Sequence, residues 1–345
     1  MTDLTAFAHG LPKAELHLHL EGTLEPELKF ALAARNGIPL TEKTVDEVKA
    51  TYDFTDLTSF LAVYYPAMQV LQTADDFFDL AWAYLQRAHA QGVVHAEMFF
   101  DPQAHTSRGV PFADVVTGYR RAAVRAQDEL GISAELILCF LRDFSAEYAM
   151  ATLMEALAYK SWIVGVGLDS DERGNPPEKF AAVFARAKAE GFFLTMHCDI
   201  DQVGSIDNIR TVLTGIEVDR IDHGTNIVED PALVALAIEK GIGFTTCPVS
   251  NSFVTEQMKS DEIVALLRQG ARVMVNSDDP AYFGAYIGDN YVAFAEKAEL
   301  SATDLVQLAI NSFEASWLTA GRRAAYIARV EDFATAAGVP LPARA

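Results

Sequence analysis

The sequence predicts an α/β fold, a (β/α)8 TIM-like barrel distorted by a helical insertion after its first strand. Three observations predict it. Eight short apolar runs, each closing on polar residues, recur along the 345 residues. Stretches of helical periodicity separate most of them, and alternating strand and helix patterns give a parallel sheet with helices outside. The histidines and paired aspartates sit at the ends of these runs, where a barrel gathers residues distant in sequence on one face. A doubly wound open sheet is the competing architecture. It expects a glycine-rich phosphate loop after the first strand, and Leu20-Glu21-Gly22-Thr23 is not one.

The strand-like runs cover residues 14–20, 93–100, 135–141, 163–168, 192–197, 220–223, 243–247 and 272–276. Helical periodicity is clearest over 179–190, 231–240 and 261–269. In the first run, alternation turns Leu16, Leu18 and Leu20 outward and His17 and His19 toward the barrel axis. The interval 23–92 is longer than one crossover helix needs. We read it as a helical insertion over the top face, a lid within a single 1–345 domain; extra helices that buttress the wall are the plainer reading. Residues 301–339 read as two or three helices capping the last strand.

Composition narrows the function. Half the residues are hydrophobic, 22% are charged, and the formal net charge is -21. No basic face exists to release counterions from phosphates, which argues against nucleic acid. No run approaches the ~18 apolar residues of a membrane span, and the N-terminus has no signal-peptide pattern. Three cysteines without a CxxC pair suit a reducing cytoplasm. The expected partner is a small molecule, and an oligomer is compatible with the sequence.

The chemistry lies at the run ends. His17-Leu18-His19 closes the first, His197 the fifth, and Asn276-Ser277-Asp278-Asp279-Pro280 follows the eighth. Imidazoles plus a carboxylate suit a borderline-soft divalent ion such as zinc, with one position open for water. Asp278 and Asp279 would repel one another without a cation or donor beside them; a helix N-cap accounts for one of the two only. Asp222-His223-Gly224 ends the sixth run. His223 suits a fourth ligand or, better, a base that holds and deprotonates water at the metal. A metal lowers the pKa of such a water toward ~7, so the set reads as metal-assisted hydrolysis.

In order along the chain, His17-Leu18-His19, His197, Asp222-His223-Gly224, Thr246-Cys247-Pro248-Val249-Ser250-Asn251 and Asn276-Ser277-Asp278-Asp279-Pro280 resemble the signature positions of the adenosine/adenine deaminase family of the amidohydrolase superfamily. The resemblance covers about residues 11–330. It implies a distorted (β/α)8 barrel holding one zinc ion, with His17, His19, His197 and Asp278 as ligands. His223 would orient and deprotonate water, and Asp279 would hydrogen-bond a purine ring nitrogen. Leu20-Glu21-Gly22-Thr23-Leu24-Glu25-Pro26 resembles the free-adenine branch, where nucleoside enzymes generally carry Leu-Asp-Gly. A bulkier Glu21 would then occupy space a sugar needs. Asp101-Pro102-Gln103-Ala104-His105-Thr106-Ser107-Arg108-Gly109 and Gly165-Val166-Gly167-Leu168-Asp169-Ser170 resemble that branch as well, and Ser170 falls where the family approaches the purine.

One departure stands out. The family follows its strand-five histidine with Ala-Gly-Glu, and that glutamate protonates the purine ring. Here the string is His197-Cys198-Asp199-Ile200-Asp201-Gln202, with Ile200 at the glutamate position. Asp199 or Asp201 would take the role, Asp199 being nearer if the extended geometry continues. The expected reaction is deamination of a 6-aminopurine, adenine to hypoxanthine and ammonia. Adenosine or an N6-substituted adenine is the alternative substrate, and a catalytically silent metal-binding relative the alternative role.

Overall fold

A computed structural model describes residues 3–198, 203–255 and 257–343. Eight parallel strands follow one another in chain order around the sheet. They are β1 (Lys13–Glu15), β2 (Val93–Phe100), β3 (Ser133–Leu141), β4 (Ile163–Asp169), β5 (Phe193–Cys198), β6 (Arg220–His223), β7 (Gly243–Thr246) and β8 (Arg272–Val275). Closure lies between β8 and the extended chain after β1, where the Leu18–Asp278 bridge forms. There His19 N donates to Asp278 O at 3.0 Å and Asp278 N to His17 O at 3.2 Å. The expected barrel is the observed one.

The first strand differs from expectation. Its regular ladder spans three residues, with a register shift between Lys13 and Ala14. Lys13 and Glu15 share the parity of His17 yet face the surrounding helices. The Lys13 ammonium meets Gln91 O, and Glu15 accepts from Tyr84 Oη at 2.6 Å. The facing therefore reverses between Glu15 and His17, where Leu16 N donates to the Asn276 side chain at 2.8 Å instead of to a strand carbonyl. Beyond that break the predicted alternation holds, with Leu18 and Leu20 in the outer core.

Inside the barrel, Phe99, Ile137 and Cys139 form a small apolar layer separate from the main core. The N-terminal end is plugged from below by Trp317. The Arg220 guanidinium lies 4.1 Å over its ring, and Glu97 joins the two by accepting from Arg220 and from Trp317 N, each at 2.6 Å. Gly165 admits this plug, since a Cβ there would stand 2.5 Å from the indole. The C-terminal helices Ala302–Glu314 and Ala320–Ala336 fall within the two or three expected over 301–339, the first packing on β8 and β1.

The interval 23–92 is two things. Ala74–Ala90 is a wall helix, burying Phe77, Leu80 and Tyr84 against the barrel. Leu57–Ala67 lies over the top face and starts in a capping box: Ser59 N donates to the Asp56 side chain at 2.8 Å, and Asp56 N to Ser59 Oγ at 3.0 Å. Its Phe60 and Tyr64 pack with Tyr282 and Phe283, which follow β8, so the helix is fastened beside the strand ends. No described helix is long and apolar enough to cross a membrane.

Candidate active site

Because the strands are parallel, their C-terminal ends bring His17, His19, His197, His223 and Asp278 together. His17, His197, His223 and Asp278 each offer a ligand atom within 4.8 Å of the others, all buried. His19 Nε2 lies 3.1 Å from His197 Nε2 and 3.4 Å from Asp278 Oδ1, and His17 Nε2 lies 3.1 Å from that same oxygen. Metal–ligand bonds of ~2.0–2.2 Å hold tetrahedral neighbours ~3.3–3.6 Å apart, close to these separations. His223 Nε2 lies 3.7 Å from the other carboxylate oxygen, Asp278 Oδ2.

Contacts behind the imidazoles fix which nitrogen is free. Thr245 donates its one hydroxyl proton to Asp222 at 2.8 Å, so it accepts from His17 Nδ1 at 2.9 Å. His197 Nδ1 meets Leu168 O at 3.1 Å and must carry a proton. His19 Nδ1 faces Asp169 Oδ2 at 3.5 Å. All three Nε2 lone pairs then point inward, and two of them face each other across 3.1 Å. A cation between them turns that repulsion into coordination. Burial lowers His19 and His223 to about 4, and burial with the neighbouring imidazoles holds His197 well below its usual range, whereas at His17 burial is outweighed by Asp278 and Asp222, which raise it. Neutral imidazoles are what a metal requires. The donor set fits a divalent cation.

The two adjacent aspartates are driven apart. Burial works to raise Asp278, but His17, His223 and His19 hold it well below the usual carboxylate range. Burial, then the Asp278 charge, pushes Asp279 well above it. Asp279 rests on Gly22, where a Cβ would stand 2.1 Å from Asp279 Oδ1. Asp278 (φ 63°), His223 (φ 55°) and Ser170 (φ 72°) all take left-handed backbone, uncommon without glycine, and all three lie here.

A cavity of about 610 Å³ opens over this set. His19, His197, His223, Asp278, Asp279 and Ser170 line it, with Leu57, Phe60, Leu61, Tyr64 and Tyr65 from the overlying helix. Glu21 does not line it, contrary to the expectation that it would crowd a sugar. Its carboxylate turns away to accept from His105 Nε2 at 2.8 Å and Tyr119 Oη at 2.9 Å. Asp199 and Asp201 lie outside the described residues.

The sequence reading missed two cavity carboxyls, Asp101 and Asp169. Both stand where β2 and β4 end, within strings already singled out, so their position was the available signal. Burial raises Asp169 to about 7; burial, then Asp169, pushes Asp101 well above its usual range. The relay of Thr245 and Asp222 was also missed, because neighbours across strands are not adjacent in sequence.

Comparison with known proteins agrees with this geometry. The family model described as adenosine deaminase matches residues 12–333. An adenine deaminase of Geotalea uraniireducens is 50% identical over 336 residues, 96% of this chain and 94% of that one. The crystal structure of an adenine deaminase from Arthrobacter aurescens superposes with a TM-score of 0.91 at 42% identity, covering 94% of this chain and 99% of that one. A Burkholderia ambifaria amidohydrolase solved with bound Zn gives 0.88 at 28% identity, covering 98% and 96%. A match across nearly the whole barrel, including every strand end that contributes to the cavity, makes this chain a member of the adenosine deaminase family.

Proposed function

We propose that this protein is a zinc-dependent adenine deaminase, converting adenine and water to hypoxanthine and ammonia with one zinc per chain. The observation that carries the reading is the convergence on one cavity of three inward Nε2 lone pairs and an ionised Asp278, flanked by His223 and Asp279. The relatives named adenine deaminase support the substrate, and the zinc-bound neighbour supports the metal.

His17, His19, His197 and Asp278 hold the ion. When bound, it supplies Lewis-acid polarisation and acidifies water near neutral pH. His223 takes the proton of the attacking water and fixes its position against C6. Asp279, kept protonated beside Asp278, hydrogen-bonds a ring nitrogen of the purine, and Ser170 closes on the ring edge. Asp199 or Asp201 gives a proton to the neighbouring ring nitrogen as the C–O bond forms. The C6–N6 bond then breaks as His223 passes its proton to the departing amine, which leaves as ammonia, while the C6 hydroxyl proton returns to the aspartate as the C6 carbonyl forms. Leu57–Ala67 acts as cover, excluding solvent from the cavity it lines. Three buried cysteines without a CxxC pair suit a cytoplasmic enzyme.

The test is ammonia release from adenine and adenosine by metal-loaded enzyme, with adenine consumption and hypoxanthine formation followed by ultraviolet absorbance. Adenine should be strongly preferred. A preference for adenosine, or no ammonia from either, would refute the reading.

A further inference from the structure

We propose that Asp101 accepts the imidazole N–H of a free purine base and thereby separates adenine from N9-substituted adenines, an inference that rests on the adenine reading above. Asp101 is 1% exposed, lines the cavity, and its Oδ1 has no hydrogen-bond partner among the described residues. Its backbone is anchored from behind: Asp101 N donates to Glu21 Oε1 at 3.3 Å, and that oxygen also accepts from His105 and Tyr119. The main chain is thus held, and the carboxyl, which meets Asp169 alongside it, keeps Oδ1 without a protein partner among the described residues.

Asp169 faces His19 Nδ1, and Asp279 sits beside Asp278 against Gly22. Asp101 groups with Asp169 and His19, one atom of each lying within 4.8 Å of the others. Asp169, their shared neighbour, lies at His19 Nδ1, the ring nitrogen opposite the one that faces the metal donors, and N9 likewise stands across the purine from the reacting C6. The one cationic side chain among the described lining residues outside the histidines, Arg173, pairs with Asp56 at the rim.

Free adenine carries one N–H on its five-membered ring, and an N9-substituted adenine carries none. In either protonation state a carboxyl keeps an acceptor oxygen. A site built to bond an N–H rejects the analogue that lacks it, because its own buried group is left unpaired. Bulk is a weak alternative here. The cavity of about 610 Å³ is large for a lone base, and Glu21 does not narrow it.

The experiment compares kcat/KM for adenine and 9-methyladenine in the metal-loaded wild type, Asp101→Ala and Asp101→Asn, with metal content and melting temperature measured alongside. The methyl group removes the N–H while adding one carbon. Wild type should favour adenine by roughly 10–100-fold. Asp101→Ala should lower adenine toward 9-methyladenine and leave the latter nearly unchanged, collapsing the ratio. Asp101→Asn, whose amide oxygen still accepts, should keep most of it. Equal losses on both substrates in Asp101→Ala would mark a structural role and overturn the inference. So would a wild type that treats the two alike while deaminating adenine, a result that spares the adenine reading and needs no variant to fold. No ammonia from either substrate would fell both.

Discussion

Gly22→Ala tests the link between the first strand and the purine contact most sharply. A Cβ at Gly22 would stand 2.1 Å from Asp279 Oδ1 and 2.8 Å from Asp279 Cα. Rotating the carboxyl relieves the first contact but not the second, because backbone cannot swing aside alone. To reach the 3.4 Å at which ordinary contact begins, the carboxyl oxygen must retreat about 1.3 Å. Misplacement near 1 Å in a reacting assembly costs ~100-fold in rate. Overpacking of a buried contact costs roughly 1–3 kcal/mol, a drop in melting temperature on the order of 5 °C. Gly22→Ala should therefore fold, retain its metal, and lose about 100-fold in kcat/KM for adenine. Ammonia release, metal analysis and a thermal melt on one preparation decide it. Wild-type kcat/KM with an unchanged melt would refute the claim that Asp279 is seated by the absence of a side chain at position 22.

The donor set makes further demands. His19→Ala should lose both metal and activity, and full metal content in that variant would remove the first strand from the site. His223→Ala should keep its metal while turnover falls ~10²–10⁴-fold, since base and orienter go together; a metal-free product would make His223 a ligand instead. Thr245→Val cuts the path from Asp222 to His17 and should weaken metal affinity ~10–100-fold, read by competition with a chelator. Asp199→Asn should lose at least ~100-fold in turnover with metal retained, and Asp201→Asn less. Wild-type rates in both and in the double variant would place the proton donor elsewhere.

Much of this protein is legible in its sequence because much of it is periodic. Eight apolar runs separated by helical stretches specify a parallel barrel, and β2, β6 and Pro231–Lys240 fall where that reading puts them. Parallel strands end on one face, so His17, His19, His197, His223 and Asp278 had to meet once the barrel was recognised. What periodicity cannot express is a break in itself. The facing of the first strand reverses between Glu15 and His17 because a side chain, Asn276, replaces a strand carbonyl at Leu16. Direction is equally hidden: Glu21 lies two residues after His19, which lines the cavity, yet His105 and Tyr119, reached only through the fold, draw its carboxylate away. The same holds for Asp101 and Asp169, whose chemistry depends on mutual burial rather than on neighbours along the chain. Sequence thus determined the barrel and its likeness to the deaminases. Tertiary structure alone decided which carboxyls face the cavity, because hydrogen-bond partners across strands set where a buried side chain can point.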